Sequence, residues 1–297
     1  MFERVAIVGV GLLGGSLGMA CRRRGLAREV VGVGRDNRKL AEAQRLGAVD
    51  RFTSDAPRGV AEADFIVLAT PVRVIMDQLP MVRASAPAGA LVTDVGSAKA
   101  SIVRAAESAF DGAPIVFLGS HPMAGGEQTG AVHAREDLYE DAPCYLTPTA
   151  STPREALERL TAFWRRLGAR VAVMAAERHD TIVALLSHLP HAVAVALMGA
   201  LEADGEERET LRSLAGPGLL DTTRVAAGST DMWRDIFLEN RGQTLRAIDA
   251  FSGSLSALRK AIETDDAAGI ERILDAARDM RRFLGEADRR KNDREAP

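Results

Sequence analysis

The first half of the chain repeats one unit. Short apolar runs at Val5–Val8, Val30–Val33, Phe65–Ala69, Leu91–Asp94 and Ile115–Leu118 alternate with helical patterns near residues 12–24, 37–46, 72–84 and 98–109. Runs that are apolar at nearly every position suit strands buried on both faces, as in a parallel sheet covered by helices. Strand–helix–strand succession of this kind implies a doubly wound sheet. Cys144–Thr147 and Arg170–Met174 read as further strands, with a helix near 153–167 between them and Pro153 at its first turn.

After Met174 the texture changes. The rest reads as helices, roughly 176–203, 207–214, 231–240, 241–263 and 266–286, with no convincing strand. The expected fold class is therefore α/β: an N-terminal doubly wound domain over 1–174, followed by an all-helical domain over 175–297. The run Val193–Leu201 is almost entirely Ala, Val, Leu, Met and Gly. A helix apolar all round is buried, either in its own domain or against a partner. A helical cap on a monomer would satisfy this. A homodimer through the helical domain does so better and is the expectation.

Composition excludes more than it proposes. A net charge of −3 over 297 residues gives no general drive toward nucleic acid or an anionic membrane. Cys21 and Cys144 are isolated, which makes neither a disulfide framework nor a metal pattern and fits a reduced cytoplasm. The N-terminus is already strand-like, with no leader pattern. No apolar run reaches the length expected of a membrane span.

The stretch from Gly9 to Gly14 reads GVGLLG, a GxGxxG placed after the first strand and opening the first helix. Gly9 permits the tight turn, Gly11 admits a pyrophosphate close to the backbone, and Gly14 lets helix and strand pack. Free N–H groups of Leu12, Leu13 and Gly14 at the helix start suit the phosphates. The domain is thus expected to be a Rossmann domain that binds NAD or NADP, with Thr70 after the third run also lining the cofactor. The acidic residue that would hold a ribose 2′-hydroxyl is expected near Gly34. Arg35 follows, suited to a 2′-phosphate, and tips the reading slightly toward NADP; Asp36 keeps NAD open.

Further motifs carry chemistry: DVGSAK at Asp94–Lys99, GSHPMAG at Gly119–Gly125 followed by Glu127, HD at His179–Asp180, SHLPH at Ser187–His191, DTTR at Asp221–Arg224, and DMWRDIF at Asp231–Phe237. His121 sits where a strand of the nucleotide-binding sheet ends. That is where ligands of such sheets gather, and a neutral imidazole there can accept a proton. A turn histidine is the alternative. Ser97 precedes a helical pattern and reads as its N-cap. His188 and His191 share one helix face, with Pro190 between them to loosen the helix. No companion ligands at metal spacing are evident, so no metal is expected.

In this order, these motifs resemble the prephenate (or arogenate) dehydrogenase family of tyrosine biosynthesis, from about Val5 to beyond Phe251. The resemblance implies an NAD(P)-dependent oxidative decarboxylation of prephenate to 4-hydroxyphenylpyruvate. It implies that His121 is the catalytic histidine and that Ser97 hydrogen-bonds it or the substrate hydroxyl. It also implies that Arg224 binds a substrate carboxylate, with Asp221 orienting it and Glu127 in the same ion network. His188 and His191 would lie in or beside the pocket, His179-Asp180 would brace it, and Trp233 would pack over the substrate or serve as core. Two other readings stand beside this one. Rossmann dehydrogenases of the β-hydroxyacid or pyrroline carboxylate kind share the layout, but those β-hydroxyacid enzymes use a lysine in the helical domain. Only Lys260 and Lys291 follow Lys99 here, both poorly placed. A non-catalytic nucleotide sensor would not need His121, Ser97 and Arg224 together.

Overall fold

A computed structural model describes residues 2–126, 128–203 and 205–292. Nine strands and thirteen α-helices follow in the order β1 (Phe2–Val8), α1 (Leu12–Arg23), β2 (Ala27–Val33), α2 (Asn37–Arg45), β3 (Arg51–Thr53), α3 (Ala56–Val60), β4 (Phe65–Leu68), α4 (Val72–Ser85), β5 (Leu91–Asp94), α5 (Ala100–Phe110), β6 (Val116–Phe117), β7 (Gly119–Pro122), β8 (Pro143–Thr147), α6 (Arg154–Arg166), β9 (Arg170–Val173), α7 (Ala176–Val183), α8 (Leu189–Ala203), α9 (Arg208–Leu214), α10 (Pro217–Thr223), α11 (Thr230–Glu239), α12 (Arg241–Glu263) and α13 (Ala267–Asn292).

The first six strands form one parallel sheet in the order β3-β2-β1-β4-β5-β6. This is the doubly wound arrangement, and its order reverses between β1 and β4, the place where sheets of this kind bind ligands beyond the strand C-termini. The central strands β4 and β5 are buried at every position, which explains why their sequences do not alternate. One face packs Ile7, Leu17, Phe65 and Val67 against Leu160, Phe163 and Trp164 of α6. The other packs Val8, Ile66 and Leu68 against Ile75, Leu79 and Ile102.

Three features depart from the sequence reading. β3 is a three-residue edge strand, too short and too polar to stand out. The segments at 143–147 and 170–173 do not extend the main sheet. With β7 they build a separate three-stranded sheet in which β7 and β8 run antiparallel. And α10 forms over PGLLDTT, where Pro217 sits in the first turn, a position that tolerates proline.

Residues 176–203 are one continuous helix with a π-helical turn at Ala184–His188. Pro190 has no N–H to offer the carbonyl one turn earlier, and the helix widens just before it. Contrary to the sequence expectation, this helix is long and apolar enough, by length and composition, to cross a membrane. Its buried face, however, carries His179, Asp180, His188 and His191. Asp180 is hydrogen-bonded into the start of α5, which ties that face to the sheet. Only His191 and Ala194 of α8 are buried, so its other apolar residues, Val195 and Met198 among them, lie open rather than enclosed.

The chain divides into two compact units, one running to Thr244 and one from Leu245. The first contains the sheets and the helices through α11. The second consists of the remainder of α12 and α13, joined by a short turn in which Asp266 accepts a hydrogen bond from the Gly269 N–H.

Candidate active site

The glycine loop has the form the sequence implies. Gly9 has φ of +99°, and a Cβ there would lie 2.6 Å from the Ala69 carbonyl oxygen and 2.8 Å from Thr70 Cγ2. That contact sets the turn after β1 against Thr70, which follows β4. A Cβ on Gly14 would lie 2.0 Å from the Gly9 oxygen, whereas one on Gly11 would meet nothing within 4 Å. So Gly11 faces open space at the mouth of α1, whose N-terminus has no side-chain cap. An uncapped helix start beside a residue without a side chain is a cradle for a pyrophosphate, and the residues fit a nicotinamide dinucleotide. The buried Tyr139 hydroxyl donates to the Leu13 carbonyl at 2.7 Å and holds the loop from behind. Gly14→Ala is expected to raise the KM for the dinucleotide by about tenfold or more, because the turn must open to admit a methyl group. A titration of cofactor binding checks this.

At the end of β2 the structure separates two candidates. Asp36 is the N-cap of α2; its carboxylate accepts from the Arg38 N–H at 2.9 Å and the Lys39 N–H at 3.3 Å. The strand ends at Val33, so Asp36 does not occupy the strand-end position. Arg35 is exposed beside it.

His121 lies in β7, just past the end of β6, and is 7 % exposed. Two bonds tie β7 to the end of β5: the Ser120 N–H donates to Asp94 Oδ1 at 3.2 Å, and Ser120 Oγ donates to the Asp94 carbonyl at 2.6 Å. Lys99, fully buried, donates to Asp94 Oδ2 and, at 2.9 Å, to the Ser120 carbonyl. Burial pushes Asp94 up and Lys99 down, each toward its neutral form, and their mutual contact opposes this. This buried pair was not legible as a pair: DVGSAK gives its residues but not that they meet.

The His121 Nδ1 lies 2.8 Å from His179 Nε2, and His179 Nδ1 lies 2.8 Å from Asp180 Oδ1. Burial, reinforced by His179, Lys99 and His188, holds the His121 pKa well below the usual imidazole value. Burial also lowers His179, against the opposing pull of Asp180. Burial alone would raise Asp180, but hydrogen bonds from His179 and from the Lys99 and Ala100 N–H groups bring it below its ordinary value. At neutral pH the cluster is therefore two neutral imidazoles behind one carboxylate.

Ser97 sits half-buried in the loop between β5 and α5. It is not the cap of α5, which begins at Ala100. Among the described residues His121 Nδ1 is paired with His179, not with Ser97. The helical elements bring His188, His191 and Trp233 together. His191 stacks on Trp233 with centroids 3.5 Å apart and planes 8° apart, and His188 meets the same indole edge-on at 6.2 Å. Trp233 thus contacts the histidine pair within one chain. Buried nitrogens of both histidines, His188 Nε2 and His191 Nδ1, have no hydrogen-bond partner among the described residues. Burial lowers the His188 pKa to about 4. It also lowers His191, against a hydrogen bond with the Val225 backbone. Val225 follows Arg224, which opens a 3₁₀ turn packed against α8; Asp221 is exposed in α10 just before it. Glu127 lies outside the described residues. No cluster of metal-ligating side chains occurs among the described residues.

A parallel sheet with a glycine cradle after β1, and a buried neutral imidazole beyond its last strand, defines a Rossmann-type dinucleotide-dependent oxidoreductase. Residues 17–173 match the family model for the nucleotide-binding domain of prephenate dehydrogenase, and residues 175–276 match that for its dimerization domain. The crystal structure of prephenate dehydrogenase from Aquifex aeolicus, in complex with hydroxyphenyl propionate and NAD+, superposes with a TM-score of 0.89 at 33 % identity. It covers 96 % of this chain and 99 % of that one. A cyclohexadienyl dehydrogenase of Zymomonas mobilis is 33 % identical over 90 % of each chain. The Synechocystis arogenate dehydrogenase structure gives a TM-score of 0.80 at 30 % identity, covering 95 % of this chain and 100 % of that one. The chain belongs to the prephenate dehydrogenase family, the NAD(P)-dependent oxidoreductases that act on prephenate or arogenate.

Proposed function

We propose that His121 is the general base of an oxidative decarboxylation of prephenate, or of its amino counterpart arogenate. One observation carries this reading. The buried, neutral imidazole stands in β7, which is hydrogen-bonded to the C-terminal end of β5 in the sheet that also presents Gly9, Gly11 and Thr70. When bound, the oxidised nicotinamide supplies the acceptor for the electron pair and hydrogen leaving the substrate's C4. His121 takes the proton of the C4 hydroxyl as its oxygen becomes a carbonyl. The bond from the ring to its carboxylate then breaks, CO2 departs, and the released electron pair makes the ring aromatic as the carbonyl oxygen takes back the proton from His121. His188 and His191 line the pocket with Trp233 as its wall, while Ser97 borders it from the β5–α5 loop.

Arg224 binds a substrate carboxylate, with Asp221 as its ionic neighbour. A planar, permanently charged fork suits a carboxylate, and the Arg224 turn packs on the helix of His191. Arg224→Gln is expected to raise the KM for substrate by about 10–100-fold while changing kcat far less, the result of losing a charge-assisted contact made equally in ground and transition states. Steady-state kinetics at saturating cofactor checks the split.

NADP is the preferred cofactor in this reading. Asp36, the nearest carboxylate, is engaged in capping α2, and Arg35, Arg38 and Lys39 are exposed around the strand end. The working form is a homodimer through the helical domain, taken from residue 175 onward. The uncovered apolar side chains Leu185, Leu186, Val195 and Met198 support this. Absorbance at 340 nm, with both substrates crossed against both cofactors, tests the whole reading. The expected result is reduction with at least one of the two substrates and a higher kcat/KM with NADP. No reduction in any combination would overturn it.

A further inference from the structure

We infer that Asp180 and His179 are positioning residues that fix opposite hydrogen-bonding polarity on two pocket histidines, making His121 Nε2 an acceptor and His188 Nε2 a donor. The inference rests on the proposed base role of His121 and adds how that role is enforced.

Helix α5 has Lys99 at its cap position and no cap from its own side chains. Asp180, from α7, supplies it. Oδ1 accepts the Lys99 N–H at 2.8 Å and Oδ2 accepts the Ala100 N–H at 3.0 Å. A helix start favours an anion, so the carboxylate is held ionised and can only accept. His179 Nδ1, 2.8 Å from Oδ1, must therefore carry the proton. In a neutral imidazole the other nitrogen is then bare. His179 Nε2 thus presents a lone pair to His121 Nδ1 at 2.8 Å, so His121 in turn must carry its proton on Nδ1. Its Nε2 is left as a lone pair. The opposite tautomer would set two lone pairs against each other.

The main chain of the same residue organises the second histidine. The Asp180 carbonyl accepts from Asn240 Nδ2 at 2.8 Å, which identifies that end of the amide as the NH2 group. Asn240 Nδ2 also lies 3.2 Å from His188 Nδ1, which must then accept. The proton of neutral His188 falls on Nε2, the buried nitrogen with no partner among the described residues. A buried N–H without an acceptor is costly, and an oxygen of the bound substrate would satisfy it. The charged and titratable groups facing these rings are Lys99 and Asp94 from the β5–α5 segment, Cys144 and Tyr145 from β8, and His191 from α8.

Two-bond ¹⁵N–¹H spectra of the histidine rings at pH 8, assigned with single histidine variants, test this on the unmodified enzyme. The expected result is Nδ1–H on His121 and His179 and Nε2–H on His188. Nε2–H on His121, or Nδ1–H on His188, would overturn the inference. Asp180→Asn supplies the kinetic arm. With its NH2 group turned to His179, at the expense of the bond from the Lys99 N–H, the amide donates to the ring, which reverses the relay and places the His121 proton on Nε2. The side chain loses its charge while its backbone bond to Asn240 stays. The expected outcome is a kcat loss of about 10²-fold or more with cofactor affinity near normal, a reversed His121 signal and an unchanged His188 signal. A kcat within about threefold of the parent, or a loss with the His121 tautomer unchanged, would overturn it. If instead His121→Asn retained full turnover, the base role would fall while the spectrum still decided the relay.

Discussion

His121→Asn is expected to lower kcat by about 10²–10⁴-fold, the range general-base catalysis supplies, while leaving cofactor affinity near normal. Asparagine keeps much of the shape and some of the hydrogen bonding but cannot take up a proton near neutral pH. The dinucleotide cradle lies after β1 and does not include β7, so its geometry should survive. The parent enzyme should show a matching pH signature. Because burial holds the His121 pKa below 6.5, the base is fully competent at physiological pH. The acid limb of kcat/KM should therefore fall below pH 6.5, not at it. In the variant that limb should vanish. Turnover close to that of the parent, with the limb intact, would remove His121 from the chemistry.

Lys99→Met is expected to have the largest effect on stability. It leaves Asp94 in a fully buried position without its cation. Removing one partner of a buried pair costs about 3–5 kcal/mol, because the remaining charge has no solvent to turn to. In a compact unit of this size that is a fall in Tm of roughly 6–20 °C. Some compensation remains, since Asp94 keeps the Gly96 N–H at 2.8 Å and the Ser120 N–H. Asp94→Asn should cost a similar amount by stranding the ammonium. The double variant should cost clearly less than the sum, because neither charge is then left alone. Thermal unfolding of the three variants provides the cycle, and simple additivity would mean the two side chains are not coupled. Turnover should fall with stability, because Lys99 also holds the Ser120 carbonyl, one residue from His121.

These two effects arise from residues of different legibility. His121 stood out because a lone histidine followed an apolar run at the place where parallel sheets bind ligands. The strands of the main sheet were equally clear, since β4 and β5 are buried on both faces and carry no polar alternation. The second sheet was not, because antiparallel pairing of β7 with β8 depends on a crossover that four residues of GSHP do not announce. Lys99 and Asp94 were visible as letters, but their pairing requires the chain to turn through Gly96, and Ser97 offered itself as a cap in their stead. The true cap of α5 comes from Asp180, eighty positions beyond its first residue. No local pattern carries such a contact. The open face of α8 was legible only in part, for a related reason. An apolar helix reads as buried, yet composition does not say whether the burying surface belongs to the same chain.

The central claim is that an imidazole lone pair at His121 Nε2 meets the substrate hydroxyl beside the dinucleotide. The most direct measurement is a crystal structure of this protein with oxidised cofactor and hydroxyphenyl propionate. The account predicts the phenol oxygen within about 2.6–3.2 Å of His121 Nε2, the His121–His179–Asp180 contacts intact, and the ring facing the nicotinamide. A phenol oxygen held by another side chain, with His121 turned out of the pocket, would contradict it.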